Sequence, residues 1–333
     1  MSIRNRQIHL VKRPQGEPTP DCFALVETDL PDPGPGQVLV KNLYLSLDPY
    51  MRGRMDDAKS YAQPQPLNEV MTGSTAGEVL ASAHPGFKPG DTFAAKFGLG
   101  WQTHALVKGD SILKVDASKV PLSYYVGLLG MPGATAWYGT MKILDPQPGQ
   151  TLVVTAATGA VGGIVGQLAK ARGARVVGIA GGTEKCDYAV STLGFDACVD
   201  YKAPDWKAML KAATPDGIDR VFENVGGEIM DALLGRMQPF GRMAVCGLIS
   251  GYNGTPMPVN NFRSVLVNKL MIQGFIISDH LELWPQAHRE LAELVVSGRL
   301  KYRESVAEGI ENAPQAFMGM LKGRNFGKQI VKL

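Results

Sequence analysis

The residues best suited to chemistry stand in a short glycine turn. Ala157-Thr158-Gly159-Ala160-Val161-Gly162 follows the strand-like run TLVVTA and leads into the helical segment IVGQLAKARG. This is the spacing of a dinucleotide-binding turn, with alanine in the first glycine place. Gly159 would let backbone approach a pyrophosphate, and Gly162 would let the helix pack closely on the strand. The helix N-terminus adds N–H groups without intrahelical partners and the positive end of the helix dipole. A second strand-like run, RVVGIAG, arrives at the distance the motif requires. Without that context the same residues would read as an ordinary glycine turn.

The end of the second strand bears on which dinucleotide is bound. An NAD site places an acid there for the ribose hydroxyls. Here the chain reads Ile179-Ala180-Gly181-Gly182-Thr183-Glu184-Lys185, with Gly181 in the acid's place and a lysine following. Lys185 would attract a 2′-phosphate that an acid would repel. Glu184 is the dissenting residue unless it faces solvent. NADPH is the expected cofactor.

The elements that must position these residues alternate in kind from about residue 128 onward. EKCDYAVSTLG reads as helix, ACVDYK as strand, DWKAMLKAAT as helix, GIDRVFENVGG as strand, EIMDALLGRMQ as helix and GRMAVCGLIS as strand. KLMIQGFII adds a late strand, and LWPQAHRELAELVVSGRL a helix. Such alternation predicts a doubly wound, Rossmann-type parallel sheet with right-handed crossovers. Before residue 128 the pattern differs. PDPGPGQ precedes VLVKNLYLSL, and short strand-like runs separated by Gly and Pro suggest a compact, mainly β domain. The boundaries read as 1–127 for the β domain, completed by 295–333, and 128–294 for the dinucleotide-binding domain. The closing run KQIVKL is the piece expected to return to the first domain.

Composition narrows the function classes. A chain of 333 residues with 45% hydrophobic and 20% charged residues can bury two real cores. Its net charge of +3 gives no electrostatic case for nucleic acid. Leu152 to Ala169 carries no charge over eighteen residues, but its glycines and strand-turn-helix pattern argue against a membrane span. Cys22, Cys186, Cys198 and Cys246 lack paired spacing, so they read as free thiols in a reducing compartment rather than as a zinc site or disulfide framework. The opening MSIRNRQIHLVKRP has no apolar run and does not read as a secretory signal. Cytoplasm is the expected location.

Nine segments together resemble the zinc-free branch of the medium-chain dehydrogenase/reductases that holds the prostaglandin, 2-alkenal and curcumin reductases. They are LYLSLDPYMRGRM, GLLGMPGATAWYG, AATGAVGGIVGQLAK, GGTEKC, LGFDACVDYK, ENVGGEIMDALL, GRMAVCGLISGYN, IQGFII and LKGRNFGKQIV. They run from one end of the chain to the other. RGRMDDAKSYA and ENAPQAFMGMLKGRNFGK are most similar to the bacterial NADPH-dependent curcumin reductase type. The resemblance implies a GroES-like catalytic domain beside the Rossmann domain, NADPH as cofactor, and a homodimer paired through KLMIQGFII. The zinc alcohol dehydrogenases of the same superfamily need cysteine and histidine ligands in the first domain, which holds only Cys22. No metal is expected.

The resemblance also implies roles. Lys185 and Tyr201 match contacts to the 2′-phosphate. Asn224, Cys246 and Tyr252 match positions around the ribose and nicotinamide. Phe275, Ile276 and Ile277 match a backbone segment beside the carboxamide, and Asn325 a further cofactor contact. Met131, Pro132 and Gly133 match the strip where nicotinamide meets substrate, and Pro49 and Tyr50 match cleft-facing positions. Several have plainer readings: Tyr201 as a strand-edge cap, Phe275 to Ile277 as core, Cys246 as a small packing residue, and His104 as structural. Arg52 and Arg54 are candidates to draw an anionic substrate, although paired or solvent-facing arginines are commoner.

The implied reaction is hydride transfer from NADPH to the β-carbon of an enone or enal. The enolate that results needs a donor where its charge develops. Tyr252, through the ribose, and Tyr61, in the polar loop DDAKSYAQPQP, are the two tyrosine candidates. Quinone reduction on the same fold, and NADPH binding without turnover, remain open alternatives.

Overall fold

The computed structural model describes residues 3–333, so Met1 and Ser2, which open the basic N-terminal segment, lie outside it. The chain forms two compact units, one of residues 1–127 with 304–333 and one of residues 128–303.

In the second unit a helix, α1 (Met131–Tyr138), precedes six strands: β1 (Thr151–Thr155), β2 (Arg175–Ala180), β3 (Ala197–Asp200), β4 (Ile218–Glu223), β5 (Met237–Val245) and β6 (Met271–Gly274). Between and after them lie α2 (Gly162–Ala171), α3 (Thr183–Ser191), α4 (Trp206–Ala213), α5 (Gly227–Leu234) and α6 (Trp284–Val296). The strands form one parallel sheet in the order β3-β2-β1-β4-β5-β6. The order reverses at β1/β4, and in such sheets ligands bind outside the carboxyl ends of the strands at that point. Both faces of the innermost strand are covered, and all five residues of β1 are buried. β6 differs, for its four residues are all exposed at the sheet's edge.

The first unit holds a three-stranded and a seven-stranded sheet. Ile3–Leu10 pairs antiparallel with Phe23–Leu30, two strands the sequence reading did not include. Charged side chains on half-exposed faces interrupt their apolar alternation, which hides them. In the larger sheet Gln37–Ser46 is central, and Lys328–Lys332 lies beside it with Ile330 opposite Ser46. The core gathers Leu10, Leu45, Leu47, Met51, Trp101 and Phe317. Trp101 stacks on Phe23 at 5.8 Å and meets Phe317 edge-on at 5.5 Å, geometries that aromatic pairs favour.

One boundary needs correction. The return to the first unit comes at Glu304, not at residue 295. Residues 295–303 finish α6 and stay on the second unit, where Leu300 is buried and the Lys301 amide donates to Gln167 Oε1 (2.7 Å).

Candidate active site

At the end of β1 the chain turns through Ala156, which takes a left-handed φ of 50°. The Gly159 amide donates to Ala156 O (2.8 Å), and the first internal bonds of α2 run from Gly163 to Gly159 O (3.1 Å) and from Ile164 to Val161 O (3.0 Å). The amides that open the helix therefore precede its hydrogen-bond ladder, as phosphate recognition requires. A Cβ on Gly162 would stand 2.3 Å from Ala156 O, so helix and turn approach too closely for any side chain. The alanine in the first glycine place is accommodated from the neighbouring strand. A Cβ on Gly178 of β2 would lie only 2.8 Å from that of Ala157, so the missing methyl has moved across the sheet. Thr158 is buried, while Gly159, Ala160 and Val161 are half-buried along the turn.

Beyond β2 the backbone of Gly181 lies under the ring of Tyr201, where an added Cβ would stand 2.9 Å from the hydroxyl oxygen and from Cε1. Tyr201 N in turn donates to Ala180 O (3.0 Å). Lys185 is half-buried in the first turn of α3; burial and the nearby charge of Lys202 hold its ammonium below the usual lysine range, while Glu184 opposes them. Glu184 itself is exposed. Asp200 closes the arrangement by accepting from the amides of Gly182 (2.8 Å) and Lys202 (2.9 Å). Two lysines, a tyrosine ring and a helix N-terminus thus stand where an NAD site would hold its acid. Lys202, Asp200 and Gly178 were not singled out from the sequence. Their signal was present for Asp200 and Lys202, which lie inside the segment LGFDACVDYK.

At the carboxyl ends of β4 and β5 the structure gathers Asn224, Cys246 and a buried acid, Glu223. Asn224 Nδ2 donates to Thr155 O (2.8 Å), and its amide to Thr155 Oγ1 (2.7 Å). Glu223 Oε1 accepts from Thr155 Oγ1 (3.0 Å) and from the amides of Val225 (2.6 Å) and Gly226 (2.8 Å). Burial nevertheless pushes its carboxyl up to about 7. The same burial, with the charge of Glu223, raises the Cys246 thiol to about 12, so Cys246 is a neutral packing residue rather than a nucleophile. Tyr252 hydroxyl accepts from the amide of Leu248 (3.4 Å), within its own loop.

Phe275 is half-buried, 6.2 Å from Phe222 and 5.4 Å from Tyr138 between ring centroids, and Ile277 is the buried residue of the segment 275–277. Within it Ile276 O accepts from Asp279 N (3.1 Å) and Ile277 O from Trp284 Nε1 (3.2 Å). Met131, Pro132 and Gly133 open α1. A Cβ on Gly133 would lie 1.7 Å from Leu128 O, which makes glycine obligatory there.

The remaining candidates belong to the first unit. Pro49 and Tyr50 begin the short helix Tyr50–Arg54, anchored by Asp48. Lys328 Nζ, itself buried, donates to Asp48 Oδ1 (2.8 Å) and Leu47 O (2.6 Å), and Ser46 Oγ donates to Asp48 Oδ2. Burial and Asp48 hold the Tyr50 hydroxyl well above the usual tyrosine range, and Tyr61 is close enough to add to the rise. Tyr61 is 60% exposed, whereas Tyr50 is half-buried beneath Arg54 (5.2 Å to the ring). Asn325 Nδ2 donates to Gly327 O (2.7 Å). Arg52 is buried and paired with Asp56 (2.8 Å) and Gly16 O (2.7 Å), so it holds the fold rather than attracting substrate. His104 is likewise structural, its ring bonded to Thr103 Oγ1 (3.0 Å). Among the described residues no group of three or more His, Cys, Asp or Glu stands together as a metal site.

A parallel sheet in this strand order, with a backbone-lined turn at its switch point and a partner β unit, defines a nucleotide-dependent oxidoreductase of two domains. Comparison with known proteins agrees. Residues 6–115 match the family described as N-terminal domain of oxidoreductase, and residues 160–293 match that described as zinc-binding dehydrogenase. The chain is 45% identical to the NADPH-dependent curcumin reductase of Escherichia coli over 99% of its own length and 97% of the relative's. It is 40% identical to the 2-alkenal reductase (NADP(+)-dependent) of Nicotiana tabacum, with 99% and 97% covered. The crystal structure of CurA in complex with NADPH from Vibrio vulnificus superposes with a TM-score of 0.93 at 46% identity, covering 98% of each chain. The chain belongs to the medium-chain dehydrogenase/reductases, in the branch of the curcumin, 2-alkenal and prostaglandin reductases.

Proposed function

We propose that this protein reduces the carbon–carbon double bond of α,β-unsaturated ketones and aldehydes at the expense of NADPH. The observation that carries the cofactor half is the strap of Lys185, Tyr201 and Lys202 at the end of β2, with glycine in the acid's place. The relatives' names carry the reaction half, since two of them are reductases of curcumin and of 2-alkenals. NADPH, when bound, supplies the hydride that goes to the β-carbon.

The chain's own residues do the rest. The turn amides of 160–162 and the N-terminus of α2 receive the pyrophosphate, and Lys185 with Tyr201 receives the 2′-phosphate. Asn224, held rigidly by Thr155, orients the ribose, with Cys246 and Tyr252 beside it. Met131, Pro132 and Gly133 form the strip that substrate faces, and the backbone of Phe275–Ile277 the wall behind the carboxamide. Pro49 and Tyr50, matched by resemblance to cleft-facing positions, and Asn325, matched to a cofactor contact, belong to the other unit. Negative charge develops on the substrate oxygen, and a hydroxyl must donate there. Of the two tyrosine candidates Tyr61 is the one assigned, because it stands in an exposed polar loop, 60% exposed, that can close over a substrate.

The reaction requires no metal, the active form is a homodimer, and the location is the cytoplasm. The metal assignment is supported by the sequence, since Cys22 is the one cysteine of the first domain where a zinc dehydrogenase needs cysteine ligands and a cysteine-rich lobe. The dimer is supported by β6, whose exposed Met271 and Ile272 leave an apolar edge strand bare. The location is supported by four free cysteines. No helix among the described residues is long and apolar enough to cross a membrane.

The test is cofactor oxidation, followed by nicotinamide absorbance, with a conjugated enone and its saturated ketone offered separately and NADH run beside NADPH. Oxidation with the enone only, and strong preference for NADPH, is the expected result. Activity on the saturated ketone would overturn the assignment. Hydroquinone formation without enone reduction would favour quinones instead.

A further inference from the structure

Scattered through the sequence, the four cysteines show no pairing, but the fold brings two of them together. Cys198 on β3 donates its thiol hydrogen to Cys186 Sγ in the first turn of α3, at 3.0 Å. Gly178 makes the room, because a Cβ there would stand 3.2 Å from Cys198 Sγ. Cys22 lies in the other unit and Cys246 at the end of β5, so this is the single thiol pair among the described residues.

The pair sits directly beneath the strap assigned above to the 2′-phosphate. Lys185 precedes Cys186, and Tyr201 follows Cys198 by three residues. Asp200 ties the two sides together through the amides of Gly182 and Lys202. We propose that Cys186 and Cys198 form a redox-active dithiol that hydrogen peroxide closes to a disulfide, and that closure weakens NADPH binding at the 2′-phosphate. The second part rests on the assignment of Lys185 and Tyr201 to that phosphate.

The chemistry is the ordinary sulfur ladder. The bond donated by Cys198, with a backbone hydrogen bond at Ala180, favours thiolate at Cys186 and holds its thiol below the usual range, against burial and the charges of Asp200 and Asp187. The Cys186 thiolate attacks one peroxide oxygen; the S–O bond forms, the O–O bond breaks, and hydroxide leaves with a proton as water. The thiol of Cys198 then attacks the sulfenic sulfur, forming S–S and breaking S–O, and its proton leaves with the hydroxyl as a second water. Two thiols and one peroxide give one disulfide and two waters, with both electrons taken from sulfur. Closure draws the sulfurs from 3.0 Å to about 2.0 Å. Since Tyr201 already touches Gly181 without slack, drawing α3 onto β3 displaces Lys185 relative to the ring.

Trypsin cuts after Lys185 and Lys202 with no site between, so both cysteines fall in one peptide, Cys186–Lys202. The full chain is treated with hydrogen peroxide, its remaining thiols are alkylated, and the digest is weighed. Affinities for NADPH and NADH are measured by fluorescence on the same samples. The expected result is an unalkylated peptide two hydrogens lighter than the dithiol, reversible with dithiothreitol. NADPH binding should weaken about tenfold, a change of ~1.4 kcal/mol, with NADH binding unmoved. Cys186→Ser and Cys198→Ser should each abolish both effects. A peptide that keeps two alkylatable thiols while Cys246 is oxidised would overturn the dithiol, and so would a disulfide that leaves NADPH affinity unchanged overturn its consequence. Equal affinity of the reduced chain for NADPH and NADH would instead overturn the 2′-phosphate assignment, while the light peptide would still establish the dithiol.

Discussion

The two units hold their candidate residues by opposite means. In the dinucleotide-binding unit the functional groups are backbone amides and a few side chains within one strand-turn-helix, and their neighbours are close in sequence. In the other unit the segment from Asp48 to Tyr61 has little local structure of its own. It is held by Lys328, 280 residues away from Asp48. A local motif can be read because sequence spacing is its geometry, whereas a long-range anchor has no spacing to read. The first kind of site also tolerates change in its surroundings better, since its shape is set by sterics within the turn.

This contrast can be broken from either side. The largest effect should come from Lys328→Met, which strands the Asp48 carboxylate in a dry interior; roughly 3–5 kcal/mol of stability should be lost by urea unfolding. Adding Asp48→Asn to it should recover part of the loss, because the uncompensated charge goes with it. Full stability of the single variant would show that the first unit does not depend on this anchor.

On the other side, Glu223 makes the dinucleotide unit depend on pH. Its carboxyl titrates near 7 when folded, against about 4.5 when exposed. The folded chain therefore holds a proton that the unfolded chain releases. The contribution is fully present below about 4.5, is lost as pH rises through 7, and amounts to about 3 kcal/mol. Glu223→Gln should flatten that slope between pH 5 and 8 in denaturant titrations, and an unchanged slope would place its origin elsewhere.

Smaller effects sharpen the functional contrast. Tyr61→Phe should lower kcat for an enone roughly 100-fold, in the range of general-acid losses, with NADPH binding retained. Unchanged turnover in both Tyr61→Phe and Tyr252→Phe would remove tyrosine from the mechanism. Lys185→Ala should weaken NADPH about tenfold, or ~1.4 kcal/mol, and leave NADH unaffected. Equal weakening of both cofactors would mean that the lysine serves the fold instead.

Legibility followed the same division. The turn at 157–162, the alternation of β1 to β5 with their helices, and the tail run KQIVKL were readable because periodicity and glycine spacing are local. The strands at Ile3–Leu10 and Phe23–Leu30 were not, since half-exposed faces carry charged residues that hide the alternation. The return at Glu304 was placed nine residues early because a helix-like run gives no sign of which unit it packs on. Arg52 illustrates the limit for single residues: its type suggested an anion, and only its burial against Asp56 and Gly16 removed that reading.

What the sequence by itself determined is the proposed cofactor turn: Gly159 and Gly162 stand at its spacing, and Gly181 stands where NAD would need an acid, because these are properties of neighbouring residues. What only the tertiary structure decided is which distant groups meet. Lys328 reaches Asp48, Gly178 makes way for Ala157 and Cys198, and Cys186 finds Cys198. Such contacts arise when separate segments are packed into one interior, where space and unpaired charge are costly at any sequence separation.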